Sequence, residues 1–166
     1  MTLVASFDPI EGKDARILIL GTMPGVASLH AGQYYAQSRN AFWKILGAIL
    51  GFPSNADYVQ RVDILKASGI ALWDVLESCV RPGSLDSDID MNSAKPNDIG
   101  ALLRRQPKVA TICFNGAAAQ QCYKARVLPM LGSAQMKYLR LPSTSPAHAA
   151  MSFEEKLARW RTALGA

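Results

Sequence analysis

Ala15-Arg16-Ile17-Leu18-Ile19-Leu20-Gly21 holds four consecutive aliphatic residues and ends in glycine. The run is too short for a buried helix and shows no polar alternation, so it reads as a β-strand buried on both faces. Such a strand needs helices above and below it. Downstream, residues 40–50 place Phe42, Trp43, Ile45, Leu46, Ile49 and Leu50 at helical spacing, with Ser38 as the expected N-cap and Gly51 and Pro53 as the stop. Residues 55–67 read as a second helix, with Tyr58, Val62, Ile64 and Leu65 inward. Ile70-Ala71-Leu72-Trp73-Asp74-Val75 is a second strand, although residues 73–79 also fit the start of a helical turn. The polar, Gly- and Pro-containing stretch 81–97 reads as a loop. A short helix at 98–105, a strand at 108–114, a helix at 117–124, a strand at 137–141 and a helix at 152–164 complete the pattern. Strands alternating with helices predict an α/β fold around a mainly parallel sheet. In such sheets ligands collect at the carboxyl ends of the strands. The segments to read for function are therefore 21–40, 74–78, 115–116 and 142–148.

Composition sets the limits. The chain has 166 residues, 49% hydrophobic and 19% charged, which is ordinary globular composition and excludes a disordered or collagen-like chain. One domain spanning 1–166 is expected at this length. Three cysteines without a CxxC pair fit neither a disulfide framework nor a four-thiolate metal site, so reduced thiols in the cytoplasm are expected. No metal or other cofactor is implied. No apolar run is long enough to span a bilayer and no leader is visible, so no membrane partner is expected. A net charge of +5 permits contact with nucleic acid without establishing it.

Three loop segments carry the chemistry. Gly21-Thr22-Met23-Pro24-Gly25 lets backbone approach a flat ligand closely, or simply makes a tight turn; it is neither a GxGxxG nor a Walker loop. In Gln33-Tyr34-Tyr35-Ala36-Gln37-Ser38-Arg39-Asn40, the tyrosines either offer a stacking face to a base or close the core. Arg39 suits a phosphate, and Asn40 either holds a water or a base edge or supports the start of a helix. The third segment is Pro142-Ser143-Thr144-Ser145-Pro146-Ala147-His148, a stiff polar loop or an ordinary connection. Ser145 and His148 lack the GxSxG setting of a serine hydrolase, and HxE with PCxxC, the zinc deaminase signature, is absent.

Taken together in this order, and with Leu72-Trp73-Asp74-Val75, Gly83-Ser84-Leu85-Asp86 and Phe114-Asn115-Gly116, these blocks resemble the uracil-DNA glycosylase superfamily, and most closely its hypoxanthine-DNA (deoxyinosine) glycosylase branch. The resemblance implies a three-layer α/β/α sandwich with a four-stranded, mainly parallel central sheet. It also implies a monofunctional DNA N-glycosylase that hydrolyses the bond between a deaminated base and deoxyribose and leaves an abasic site. Met23 stands where the wider superfamily often has a polar catalytic residue, and the branch's catalytic asparagine falls on Asn40. The base-recognition asparagine falls on Asn115. Gly21, Thr22, Met23, Pro24, Gly25, Tyr34, Tyr35, Ser143, Ser145 and His148 are expected around the substrate, and Arg39, Thr144 and Pro146 against DNA. Gln37-Ser38 stand where the family has His-Pro, and His148 where it commonly has Asn. The implied partner is DNA carrying deaminated bases, bound by a monomer. Uracil in a mispair is the alternative substrate, and a non-catalytic damage-binding module is the alternative class.

Overall fold

The computed structural model describes residues 2–132 and 135–165. Its centre is a four-stranded sheet built from β2 (Ile17–Gly21), β3 (Ile70–Asp74), β6 (Thr111–Asn115) and β7 (Lys137–Leu141), in the order β3-β2-β6-β7. All three pairings are parallel, with Gly21 opposite Asp74 and Asn115 opposite Leu141. The carboxyl edge of the sheet thus presents Asp74, Gly21, Asn115 and Leu141 side by side. Alternation along the strands feeds two cores. Leu18, Leu20, Trp73, Ile112 and Phe114 pack on one face with Ile99 and Leu102 of α4 (Ile99–Arg105) and Cys122 and Tyr123 of α5 (Ala117–Arg126). Ile19, Leu72 and Cys113 pack on the other with Phe42, Ile45 and Leu46 of α2 (Phe42–Leu50), Leu65 of α3 (Tyr58–Ala67) and Trp160 of α7 (Phe153–Leu164). This is the expected sandwich. Beyond β2 the chain continues to α2 and α3 on one face, and beyond β6 to α5 on the other, so a crevice opens between these neighbouring strands.

Several local expectations are corrected. The segment 21–40 read for function is not all loop: Val26–Ala31 forms α1, closed by Gly32 in the left-handed region. Six residues between two glycines are too few to show a period. Nor does the second strand turn into a helix. One residue after β3 the chain becomes β4 (Leu76–Val80), which pairs antiparallel with β1 (Leu3–Ala5) and with β5 (Asp90–Pro96) in a separate three-stranded sheet. Strand β5 was hidden in the presumed loop 81–97 because Asp90-Met91-Asn92-Ser93-Ala94-Lys95-Pro96 is polar and mostly exposed, so its composition is that of a turn. A short α6 (Leu128–Leu131) also goes beyond the pattern. Helix α3 starts at Tyr58 rather than Asn55, because Asp57 and Gln60 form a capping box. Helix α2 starts at Phe42, with Ala41 rather than Ser38 at the N-cap position. The Asn40 amide N–H closes a turn onto the Gln37 carbonyl (2.9 Å) just before it.

Candidate active site

The carboxyl edge of the sheet opens into a cleft of about 750 Å³ walled by the three loop segments and by residues 84–87. All the expected substrate residues border it: Gly21-Thr22-Met23-Pro24-Gly25, Tyr34, Tyr35, Asn115, Ser143, Ser145 and His148, together with Arg39, Asn40, Thr144 and Pro146. Bordering the cleft and offering a free polar group to it are different things, and hydrogen bonds separate the two.

Asn40 is half-buried at the mouth of α2. Its Oδ1 accepts the Phe42 N–H at 2.9 Å, so the carboxamide supports the helix start and is fixed in orientation by the same bond. A carbonyl oxygen has a second lone pair, and the amide nitrogen carries two further donors. Both readings of Asn40 are therefore compatible in one side chain. The next peptide ties the two long loops together, because the Ala41 N–H donates to the Thr144 carbonyl at 3.0 Å.

Asn115 is buried, and protein groups engage both ends of its amide. Its Nδ2 donates to Thr144 Oγ1 (3.0 Å) and Tyr35 Oη (3.1 Å), and its Oδ1 accepts the Thr144 N–H (2.9 Å). This residue is the clasp holding the 142–148 loop and Tyr35 to the end of β6. Gly116, at φ +97, lets the chain turn beneath that loop; a Cβ there would lie 3.1 Å from Ser143 Cβ. Within the loop the Ser143 and Ser145 hydroxyls accept the N–H groups of Ser145 and Ala147 (3.2 Å each), so both stiffen the turn. Helix α7 anchors the loop at its two ends: Trp160 Nε1 donates to the Pro142 carbonyl (2.9 Å) and buried Lys156 Nζ to that of His148 (2.7 Å). His148 itself is exposed at the rim, as is Arg39.

The tyrosines divide their roles. Tyr34 is a core residue that reaches the cleft only at its margin: its ring meets Phe7 edge-on, and its hydroxyl donates to the Asp8 carbonyl at 2.8 Å. Tyr35, held at φ +54, stacks on Phe42 with centroids 4.1 Å apart and turns its hydroxyl to Asn115. Burial raises the pKa of both, so both stay neutral. Met23 is buried and joins the core around Phe114.

The residue that reasoning from sequence left without a role is Asp74. It ends β3 in the floor of the cleft, 3% exposed, and its Oδ2 has no hydrogen-bond partner among the described residues. Burial, reinforced by Asp86 and opposed by Arg81, pushes its carboxyl up to about 7. An acid at the end of a buried strand is the one signal that would have found it. A consequence for stability follows from the sign of the shift. An unfolded aspartate releases its proton near pH 3.9, whereas folded Asp74 keeps its proton up to about 7. The folded state then binds more protons, so stability falls as pH rises between those values. Asp74→Asn cannot lose a proton and is expected to flatten this slope. Urea midpoints of the two proteins across that pH range check it; parallel slopes would show that Asp74 titrates normally.

An α/β sandwich whose polar loops converge on a crevice between neighbouring strands is the architecture of a domain that binds a small group at its sheet edge. Residues 9–164 match the uracil DNA glycosylase superfamily, and the chain belongs to it. It is an enzyme of the DNA glycosylase class, a hydrolase that binds DNA. A hypoxanthine DNA glycosylase from Methanosarcina acetivorans is 33% identical over 141 residues, covering 80% of this chain and 88% of that protein. A protein of the same name from Methanosarcina barkeri is 35% identical over 111 residues, covering 66% and 69%. The solution NMR structure of a Methanosarcina acetivorans protein, provisionally described as a uracil DNA glycosylase, aligns with a TM-score of 0.80 at 32% identity over 99% of this chain and all of that one.

Proposed function

We propose that this protein removes hypoxanthine from DNA as a monofunctional, monomeric glycosylase of the cytoplasm, leaving an abasic site. The observation that carries the reading is the placement of Asn40 in a cleft roomy enough for a two-ring base, in a chain whose curated relatives bear the name hypoxanthine DNA glycosylase. The target base must first leave the stack, at a cost of a few kcal/mol that is lowest for a mispaired base. Deamination products mispair, so the damage itself lowers that cost. In the cleft the bond from C1′ to the base nitrogen breaks with its electron pair on the base, while the sugar takes on oxocarbenium character. Water then adds its oxygen to C1′, and the proton it gives up goes, through solvent, to the departed base, which holds the electron pair of the broken bond. An amide is too weak a base to remove that proton in advance, so Asn40 orients the water through Oδ1 and stabilises charge that develops at the sugar. Residues 21–25 supply backbone close to the base, and the clasped 142–148 loop faces the DNA through Pro146 and exposed His148, whereas Thr144, expected against DNA, is 1% exposed and holds the loop to Asn115 instead.

The test is direct. Duplexes carrying hypoxanthine, uracil or xanthine are incubated with the protein and then cleaved with alkali at any abasic site. Cleavage fastest at hypoxanthine supports the reading. Preference for uracil would favour the alternative suggested by the NMR relative's description, and no cleavage on any duplex would sink the glycosylase reading.

DNA binding should weaken with salt as basic side chains replace phosphate counterions. Of the exposed cations near the sheet's carboxyl edge, Arg39 borders the cleft. Arg39→Ala is expected to reduce the slope of log affinity against log salt by about 1. Titration of abasic-site DNA at several salt concentrations checks this, and an unchanged slope would remove Arg39 from the phosphate contacts.

A further inference from the structure

Deamination changes one edge of a base in a defined way. The exocyclic amine, a donor, becomes a carbonyl, an acceptor, and the adjacent ring nitrogen changes from an acceptor to an N–H donor. A pocket that accepts hypoxanthine and rejects adenine therefore needs a fixed acceptor facing that ring nitrogen. A buried group left unpaired by the wrong base gives strong discrimination.

Few side chains in the cleft are able to be that acceptor. Asn115 Oδ1 and the Ser143 and Ser145 hydroxyls each already hold a protein N–H, so none of them is left wholly unpaired by the wrong base. Asp74 differs. Its Oδ2 is buried in the cleft wall without a hydrogen-bond partner among the described residues. The carboxylate is also firmly placed. Gly21 is its partner across the sheet, and a Cβ on Gly21 would come within 2.6 Å of Asp74 Oδ1 and 2.7 Å of Tyr35 Oη, so only glycine lets both groups converge there. Asn97 clamps the chain on either side: its Nδ2 donates to the carbonyls of Asp74 (2.8 Å) and Leu76 (3.2 Å), and its N–H donates to that of Val75 (2.8 Å). A rigid acceptor at the floor of the cleft thus lies deeper than half-buried Asn40.

We propose that Asp74 is the specificity-determining acceptor for the ring N–H of a deaminated purine, so that its carboxylate admits hypoxanthine and repels adenine. This deepens the hypoxanthine reading above and rests on it. The ionised carboxylate accepts N1–H of hypoxanthine. Against adenine the same carboxylate meets the N1 lone pair. An amide at this position loses the distinction, because with nothing bonded to Oδ2 it can turn to offer either N–H or C=O. A protonated acid loses it too, by donating to adenine N1. The groups that set the charge here are Asp86, Arg81 and the two neutral tyrosines, Tyr34 and Tyr35.

The test compares binding of duplexes carrying 2′-fluoro deoxyinosine or 2′-fluoro deoxyadenosine, which resist hydrolysis. Each stands opposite an abasic spacer, so neither base is paired. The proposal expects wild type to prefer the hypoxanthine duplex by about tenfold or more at pH 8, since an unpaired charged acceptor is worth a factor of that order. It expects Asp74→Asn to bind both alike while keeping wild-type affinity for abasic DNA. Wild type at about pH 5.5, below the carboxyl's raised pKa, should lose the preference as well, and this arm needs no variant to fold. A preference that survives both the substitution and the lower pH, or a wild type that never discriminates, overturns the role of Asp74. Hypoxanthine release by the same preparation separates that failure from failure of the glycosylase reading: release without discrimination refutes Asp74 alone, and Asp74-dependent discrimination without release refutes the glycosylase reading alone.

Discussion

Asn40→Ala is expected to lose about a hundredfold or more of the single-turnover rate of base release, the scale of loss for a well-placed polar group at developing charge. Its affinity for abasic DNA should stay close to wild type. The structure sharpens this expectation, because Asn40 also caps α2 through the Phe42 N–H. Removing a cap costs about 1 kcal/mol of stability, so some loss of stability is expected in either case and cannot by itself speak for catalysis. Asn40→Asp separates the two roles. It keeps the acceptor for Phe42 and hence the cap, but exchanges the amide donors for negative charge. Rates measured beside urea midpoints decide the matter. A folded Asn40→Ala protein that releases base at near-normal rate would show that capping is the residue's whole function. Met23→Asn is the companion variant. Because Met23 is packed in the core around Phe114, the polar side chain is expected to lower stability before it offers any activity.

The second large effect is expected at Trp160. This side chain is fully buried, meets Phe42 edge-on with centroids 6.0 Å apart, and donates Nε1–H to the Pro142 carbonyl. Phe42 in turn stacks on Tyr35, which accepts from Asn115. A continuous column thus runs from α7 to the site. Trp160→Ala should cost about 3–5 kcal/mol, the range for deleting a large buried aromatic. That corresponds to a drop in Tm on the order of 10 °C for a chain of this size. Trp160→Phe retains most of the packing but leaves the Pro142 carbonyl without its partner, and should cost about 1–3 kcal/mol. If the column matters for function, Trp160→Phe will also release base more slowly at a temperature where it is fully folded. Thermal melts and rates on the same samples check both claims, and a Trp160→Ala protein as stable as wild type would refute the account of the core.

How much was legible in advance depended on the range of the interactions involved. Ile17-Leu18-Ile19-Leu20 announced a strand buried on both faces because helices must cover both sides of such a strand. The order of strands and helices then placed the working residues at the carboxyl ends, and the segments around Gly21, Asn40, Asn115 and Ser143 do meet in one cleft. Helix ends marked by local chemistry, such as Ser152 before α7 and Gly51 after α2, lay where the residues put them. The second sheet was not legible. Strand β5 is polar and exposed, and it becomes a strand only because β4 offers it a ladder, a contact with no local signature.

The same division runs through the site. Residue type and position in the chain were enough to bring Asn40, Asn115 and the Ser143–His148 segment under suspicion, since the side chains that can hold a water or a base edge are few. Which polar atoms remain available is a property of the neighbours alone. Thr144, 29 positions from Asn115, occupies that amide at both ends, and no pattern in the chain announces it. Asp74 shows the reverse. As a letter in Leu72-Trp73-Asp74-Val75 it is an acid closing a strand. It becomes an unpaired acceptor with a raised pKa only when Gly21, Asp86 and Arg81 are folded around it. The sequence by itself determined the layers and the edge at which to look, because burial and periodicity act over a few residues. The tertiary structure decided which groups are already engaged and which still face a ligand, because desolvation and hydrogen bonding depend on every element that packs against the cleft.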